Sequence, residues 1–301
     1  MRLPARVTVV DVSPRDGLQN EQARITTAQK VTLVNLLSAA GMSMIEAGAF
    51  VSAKWVPQMA DTAEVLAAIE RRPGTRYAAL APNVHALDRA LATGTKDIAV
   101  LAAASETFSR RNTNQSIDES LATIRTVCER ALAAGLQVRG YLSTCFGCPY
   151  EGDVDARRVG ELTRTLLDLG VFEVAVSDTI GVAHPGQVWK VLDAITAHAS
   201  LSKVALHFHD TRGMALANVL AGLQAGVTTF DASCGGLGGC PYAPGAAGNV
   251  ATEDLVYMLH GLGIETGIDM DKLLAAATFA SNRIDHALTS RYFHASRAVR
   301  R

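Results

Sequence analysis

Apolar runs in this chain are short: stretches such as Ile98 to Ala104 fall far below the roughly 20 residues a membrane helix needs. A membrane-spanning helix is therefore not expected. Aromatic residues are scarce at 5%, and 28 Lys and Arg stand scattered against 29 Asp and Glu, which leaves a net charge of −1 and no basic stripe. That disfavours a nucleic acid or a charged membrane as partner and points to small molecules. Cysteines number five, an odd and unevenly placed set. Strand-like Val7-Thr-Val-Val10 begins the chain with no export pattern before it, so the thiols are expected to be reduced and the protein cytoplasmic. No linker interrupts the sequence. Its 301 residues, 49% hydrophobic, are enough for one large core and one domain over 1–301.

What is abundant is repetition. Short β-branched or apolar runs near 7–12, 42–47, 76–81, 97–102, 137–144, 172–178, 203–209 and 228–233 alternate with amphipathic segments. Those helical segments are expected at about 26–40, 57–71, 83–93, 116–134, 154–169, 184–199, 213–225 and 251–261. Gly41, Gly94, Gly135, Gly170 and Gly226 stand where the helices should stop. Eight right-handed βα units close most simply as an α/β (β/α)8 TIM barrel rather than an open sheet. From about 268 to 301 one or two extra C-terminal helices follow, basic at the end, as a cap or a contact for an oligomer.

Active sites of such barrels lie at the C-terminal ends of the strands. Reading those ends gives Ser13-Pro-Arg-Asp-Gly17, Glu46, Asp178-Thr179 and Val204-Ala-Leu-His-Phe-His-Asp210. After the eighth strand comes the long Gly235-Gly-Leu-Gly-Gly-Cys-Pro-Tyr-Ala-Pro-Gly-Ala-Ala-Gly-Asn249 connection. An isolated His-x-His on a strand is by default a packed pair, or one hydrogen-bonded to Asp210. Here, however, carboxylates, imidazoles and a carboxamide gather at five strand ends. Side chains two apart on a strand share a face, so His207 and His209 can ligate one ion. Asp16 and Asn249 would add oxygen donors, a mixed set that favours Mg2+ or Mn2+ over zinc. Glu46 could orient a ligand or simply pair with Arg15, and Arg15 beside Asp16 could stabilise an enolate oxygen or make a plain ion pair. Cys240, between glycines on a lid-like loop, could move a proton, although a lone cysteine is usually idle. Gly236-x-Gly238 lacks the third glycine of a dinucleotide turn, and Cys145-x-x-Cys148 lacks the second pair of a zinc site.

The segments Asp11-Val-Ser-Pro-Arg-Asp-Gly-Leu-Gln-Asn-Glu21, Phe50-Val-Ser-Ala-Lys-Trp-Val-Pro-Gln-Met59, Gly147-Cys-Pro-Tyr-Glu-Gly152, Asp178-Thr-Ile-Gly181, His207-Phe-His-Asp-Thr211 and Gly236 to Leu259 closely resemble the hydroxymethylglutaryl-CoA lyase family of metal-dependent barrels. The resemblance runs over essentially the whole chain. It implies retro-Claisen cleavage of 3-hydroxy-3-methylglutaryl-CoA to acetyl-CoA and acetoacetate, a step of leucine degradation and ketone-body formation. By the same likeness, Asp16, His207, His209 and Asn249 hold the metal, with Glu46 and Glu253 supporting those ligands. Arg15 and Gln19 contact the acyl-CoA thioester substrate, and Asp178, His207 and Cys240 join Arg15 as catalytic groups. A homodimer or other homo-oligomer is expected.

The sequence also departs from the family. Arg212-Gly-Met214 stands where Tyr-Gly-Gln is usual, and Ala47-Gly-Ala49 where small hydroxyl residues are common. A sibling lyase acting on another 3-hydroxy-acyl-CoA, such as citramalyl-CoA, is the rival reading, and a non-catalytic paralogue is a third. For the CoA phosphates the candidates are Lys54, Arg110 and Arg111.

Overall fold

The computed structural model describes residues 3–239 and 248–299. Among these, eight strands pair in sequence order: β1 (Thr8–Asp11), β2 (Met44–Ala49), β3 (Arg76–Leu80), β4 (Asp97–Ala103), β5 (Gln137–Ser143), β6 (Glu173–Asp178), β7 (Val204–Phe208) and β8 (Thr229–Ala232). All pairs are parallel, and β8 closes on β1 with Val9 opposite Phe230 and Asp11 opposite Ala232. The expected (β/α)8 TIM barrel is what forms. Its strands are buried on both faces, one packed inside the barrel and the other under the helices, which is why they read as apolar runs instead of alternating ones.

The helices are α1 (Thr27–Ala39), α2 (Thr62–Ala68), α3 (Val84–Ala92), α4 (Glu106–Thr113), α5 (Ile117–Ala133), α6 (Ala156–Asp168), α7 (Pro185–Thr196), α8 (Ala215–Ala225), α9 (Thr252–Gly261), α10 (Met270–Ser281) and α11 (Arg291–Val299). No helix among the described residues is long and apolar enough to cross a membrane. Side chains start them: Thr26 with Gln29 and Ser116 with Glu119 form reciprocal capping boxes, and Asn83 accepts from Ala86 N–H. The five stop glycines all adopt positive φ, as a left-handed C-terminal cap requires.

Two helices differ from expectation. The segment 57–71 is a 3-10 turn, Pro57–Met59, followed by the short α2. Asp61, which would cap α2, is instead bound to Lys30 Nζ at 2.6 Å and to Thr27 Oγ1 at 2.8 Å, and Ile69 turns extended ahead of Pro73. The second difference is α4, whose sequence Glu-Thr-Phe-Ser-Arg-Arg-Asn-Thr carries no apolar stripe to announce it. It ends on Asn114, a non-glycine left-handed cap.

The C-terminal segment forms two helices. Asp254 at the start of α9 accepts from Ser290 Oγ and from the Arg291 and Tyr292 amides, and so fixes the first turn of α11. Between α10 and α11, Thr289 and Ser290 donate to the Gly235 carbonyl, which ties this segment to the connection after β8.

Candidate active site

Strand register builds the site. His207 lies opposite Ser177 on one side and Asp231 on the other, so its ring faces the inside of the barrel between β6 and β8. Its Nδ1 is 3.2 Å from Asp231 Oδ2. Arg139 grips Asp231 through two N–H groups at 2.7 and 3.1 Å, and reaches Glu173 at 2.8 Å and the Tyr141 hydroxyl at 3.1 Å. Burial would raise the Asp231 carboxyl, but Arg139 and then His207 outweigh it and hold it below the usual range. An anionic Asp231 therefore fixes the tautomer that carries the proton on Nδ1 and turns Nε2 of His207 towards Asp16, 4.0 Å away.

Beyond Phe208 the chain pairs with the segment that returns after β8. His209 bridges Asn249, Asp210 N–H donates to Gly248 carbonyl at 2.8 Å and Val250 N–H to Phe208 carbonyl at 3.0 Å. The return needs two glycines. A Cβ on Gly248 would stand 1.4 Å from the Gly238 carbonyl oxygen, and Gly238, at φ +112°, would push a Cβ against the Asn249 amide.

Asp16 sits on a tight turn, Ser13–Gly17, that carries Pro14 at its second position and directs Arg15 and Asp16 into the mouth. Arg15 Nη1 is 2.5 Å from Asp16 Oδ1, Arg15 Nε is 2.5 Å from Glu46 Oε2, and the guanidinium lies over the Tyr141 ring. Of the two expected roles for Glu46, pairing with Arg15 is the one observed. Tyr141 donates its hydroxyl to the same Glu46 oxygen. Burial alone would raise Asp16; Arg15 first, then the two histidines, bring it well below the normal carboxylate range. Burial works against the Arg15 charge as well, yet Glu46 and Asp16 keep it protonated.

One atom each from Asp16, His207 and His209 lies within 4.8 Å of the others, a group that could hold a metal ion. Asn249 completes the picture by what it leaves open. Its Nδ2 donates to Asp16 Oδ2 at 2.9 Å and to the Leu237 carbonyl at 3.1 Å, which fixes the amide orientation, and its Oδ1 is buried with no partner. A buried acceptor lacking a donor, next to a carboxylate and two imidazoles, fits a hard divalent cation. The candidate donors come from three places along the chain: Asp16, the His207–His209 pair and Asn249.

Gln19 lines the mouth cavity together with Arg15, Asp16, both histidines, Leu101 and Phe108. Its volume is about 130 Å³. Asp178 lies just behind, accepting the Val182 and Ala183 amides at 3.0 and 2.9 Å, and burial pushes its carboxyl upwards despite them. Next to it Thr144, a β-branched residue at φ +60°, is held by Thr179 Oγ1 and Ser105 Oγ. Cys240 lies outside the described residues. Cys145 and Cys148 are free and buried, with no disulfide between them.

Among the described residues, Glu253 makes no hydrogen bond to Asp16, His207, His209 or Asn249. Both its oxygens accept the Gly235 amide at 2.9 Å, which anchors the base of the connection that leads towards Asn249. Burial pushes its carboxyl up to about 7 against the pull of that amide, and the buried Asp11 nearby is pushed up to about 6. A carboxyl raised on folding stabilises the fold below its unfolded value and loses that contribution as pH climbs through its folded value. Stability should therefore fall between about pH 4.5 and 7, by on the order of 3 kcal/mol from Glu253. In Glu253→Gln, urea midpoints at pH 5 and pH 7.5 should move together; an unchanged gap between them would rule out Glu253 as the titrating group.

Sequence reasoning missed Asp231, Arg139 and Tyr141. Asp231 is the penultimate residue of the short β8, and its only signal was a charge inside an otherwise uncharged strand.

Comparisons with known proteins agree with this geometry. Residues 6–280 match the family model described as HMGL-like. The 3-hydroxy-3-isohexenylglutaryl-CoA/hydroxy-methylglutaryl-CoA lyase of Pseudomonas aeruginosa is 53% identical over 276 residues, covering 92% of this chain and 92% of its own. The mitochondrial hydroxymethylglutaryl-CoA lyase of Gallus gallus is 48% identical over 293 residues, 97% of this chain and 98% of that one. A crystal structure of hydroxymethylglutaryl-CoA lyase from Pseudomonas aeruginosa superposes with a TM-score of 0.97 at 50% identity, covering 99% of this chain and 100% of the other. With matches of that extent, the chain belongs to the HMGL-like family.

Proposed function

We propose that the chain is a cytoplasmic, homo-oligomeric, divalent-metal-dependent carbon–carbon lyase that cleaves 3-hydroxy-3-methylglutaryl-CoA to acetyl-CoA and acetoacetate. The observation that carries this reading is the position of Arg15, a buried permanent cation 2.5 Å from Asp16, which itself belongs to the one described group in the mouth cavity able to hold a metal. Such a pairing suits a substrate that presents a hydroxyl and a carboxylate at one end and a thioester carbonyl at the other.

In this reading Asp16, His207, His209 and Asn249 hold Mg2+ or Mn2+, which when bound supplies Lewis-acid polarisation and eases loss of the tertiary hydroxyl proton. As that proton leaves, the bond between C2 and C3 breaks and its electron pair passes to the thioester as an enolate. Arg15 receives the enolate oxygen: Nε and Nη1 are committed to Glu46 and Asp16, so the guanidinium is fixed before the charge develops. Gln19 lines the same wall and would orient the thioester. Proton transfer falls to Asp178, His207 and Cys240. Burial pushes the Asp178 carboxyl above its usual range despite the Ala183 and Val182 amides, the direction that favours proton exchange. Asp231 keeps His207 Nε2 directed into the site, whichever partner it serves.

A second reading rests on Leu101 and Phe108, which give the cavity an apolar wall suited to a larger branch at C3 than methyl. One assay tests both readings. Purified protein with Mg2+ or Mn2+ and hydroxymethylglutaryl-CoA should yield acetyl-CoA and acetoacetate in equal amounts, and parallel runs with citramalyl-CoA and a longer-branched homologue rank the substrates. No cleavage of any of the three would reject the lyase reading.

A further inference from the structure

Asp178 closes β6, and the turn after it folds back so that the Val182 and Ala183 amides meet its two carboxylate oxygens at 3.0 and 2.9 Å. The outer side of that turn is held from the segment that follows β7. Arg212 Nη1 donates to the Ile180 carbonyl at 3.0 Å and to the Gly181 carbonyl at 2.9 Å. Further on, the buried Asn218 of α8 donates Nδ2 to the Ala183 carbonyl at 3.0 Å. Close packing makes the first of these clamps possible. Gly181 stands at φ +61°, and a Cβ there would lie 2.6 Å from Thr211 Cβ and 2.9 Å from the His209 carbonyl oxygen.

One peptide group joins Arg212 to Asp178. The Gly181 carbonyl that accepts from Arg212 and the Val182 N–H that donates to Asp178 Oδ1 belong to the same planar unit and point to opposite sides of it. Two hydrogen bonds therefore run in line from guanidinium through peptide to carboxylate, each polarising the next. The charged donor makes the first of them stronger than a neutral group would. Arg212 forms no ion pair among the described residues, so no carboxylate competes for it, and its side chain is exposed rather than part of the core. It also stands where Tyr is usual in the family. A phenol hydroxyl has one proton to donate, whereas Arg212 Nη1 serves two carbonyls.

We propose that Arg212 is a positioning residue for Asp178: by holding the Ile180 and Gly181 carbonyls it presents the Val182 amide to the carboxylate and fixes the orientation in which Asp178 exchanges a proton with the substrate. The proposal rests on the reading of Asp178 as a proton-transfer group and extends it. A carboxylate aligned before the reaction begins spends nothing on reorientation during it. Arg212 does not line the mouth cavity, so its effect falls on turnover and not on substrate binding.

Two measurements test it. In steady state with hydroxymethylglutaryl-CoA, Arg212→Ala should lower kcat about tenfold while KM stays within about twofold of the parent, and the solvent deuterium isotope effect on kcat should rise as proton transfer slows. Arg212→Lys keeps a charged donor and should stay within about threefold of the parent. Guanidinium added to the Ala variant should restore part of kcat, where sodium chloride at the same ionic strength does not. A kcat for Arg212→Ala within twofold of the parent, or an equal loss in the Ala and Lys variants, overturns the proposal. Hydrogen exchange tests the clamp without turnover: the Val182 amide should exchange roughly tenfold faster in Arg212→Ala while the amides of β6 keep the parent's rates. Parent-like protection of Val182 overturns the proposal as well. The two readings fail separately. Faster exchange in a protein that cleaves none of the three thioesters keeps the clamp and removes the lyase, whereas cleavage with parent-like exchange and kcat does the reverse.

Discussion

His209→Ala should lower metal-dependent cleavage by roughly a hundred- to a thousandfold, because losing a Lewis-acid contribution of several kcal/mol is worth about two to three decades in rate. His209 sits at the rim of the barrel, past the last residue of β7, and its loss leaves the strand pairing of His207 with Ser177 and Asp231 untouched. The variant should therefore fold as the parent does, with a similar thermal midpoint, and the defect should appear in kcat at saturating Mg2+ or Mn2+. Full turnover in this variant after treatment with chelator would remove the metal from the mechanism. Asp231→Asn provides a graded comparison. Losing the anion that orients His207 should cost about ten- to a hundredfold, the range typical of groups that support a ligand from behind.

The second large effect concerns stability. Arg139 is among the largest fully buried side chains, and it balances Asp231 and Glu173 in the middle of the barrel. Arg139→Met would leave two carboxylates in a space with no cation, a loss of about 3–5 kcal/mol in the unfolding free energy. Urea denaturation of parent and variant measures it. The double variant Arg139→Met, Asp231→Asn should regain part of the stability and none of the activity, since His207 would still lack its anion. A difference below about 1 kcal/mol for Arg139→Met would show that the network contributes little to the fold.

These two predictions differ in how far each was legible beforehand. The candidate metal cluster could be read because it lies at strand ends, where a barrel exposes its polar groups, and because the side chains of His-x-His on a strand share one face. Gly41, Gly94, Gly135, Gly170 and Gly226 marked the helix ends because a left-handed cap leaves a chemical trace in the residue type. Arg139 and Asp231 were invisible for the opposite reason: their partnership joins β5 to β8 across 92 residues, and neither has a local motif to show it. Helix α4 was missed because Phe108 is its only large apolar residue and no apolar stripe runs along it, although it brings Phe108 and Asn112 to the cavity wall. Helix α2 was overestimated because the side chain that should cap it, Asp61, is taken by Lys30 on another element. The bridge between His209 and Asn249, which brings the Asn249 carboxamide beside Asp16, depends on Gly238 and Gly248 packing without side chains, a distance no sequence pattern measures.

The convergence of Asp16, His207, His209 and Asn249 on one hard cation is the claim on which the rest depends, and Mn2+ reads it directly. Chelator-stripped protein titrated with Mn2+ and followed by electron paramagnetic resonance should show one tight site per chain, with nitrogen couplings from two imidazoles that fall to one in His209→Ala. Binding without imidazole nitrogen, or an identical spectrum in the variant, would contradict the account.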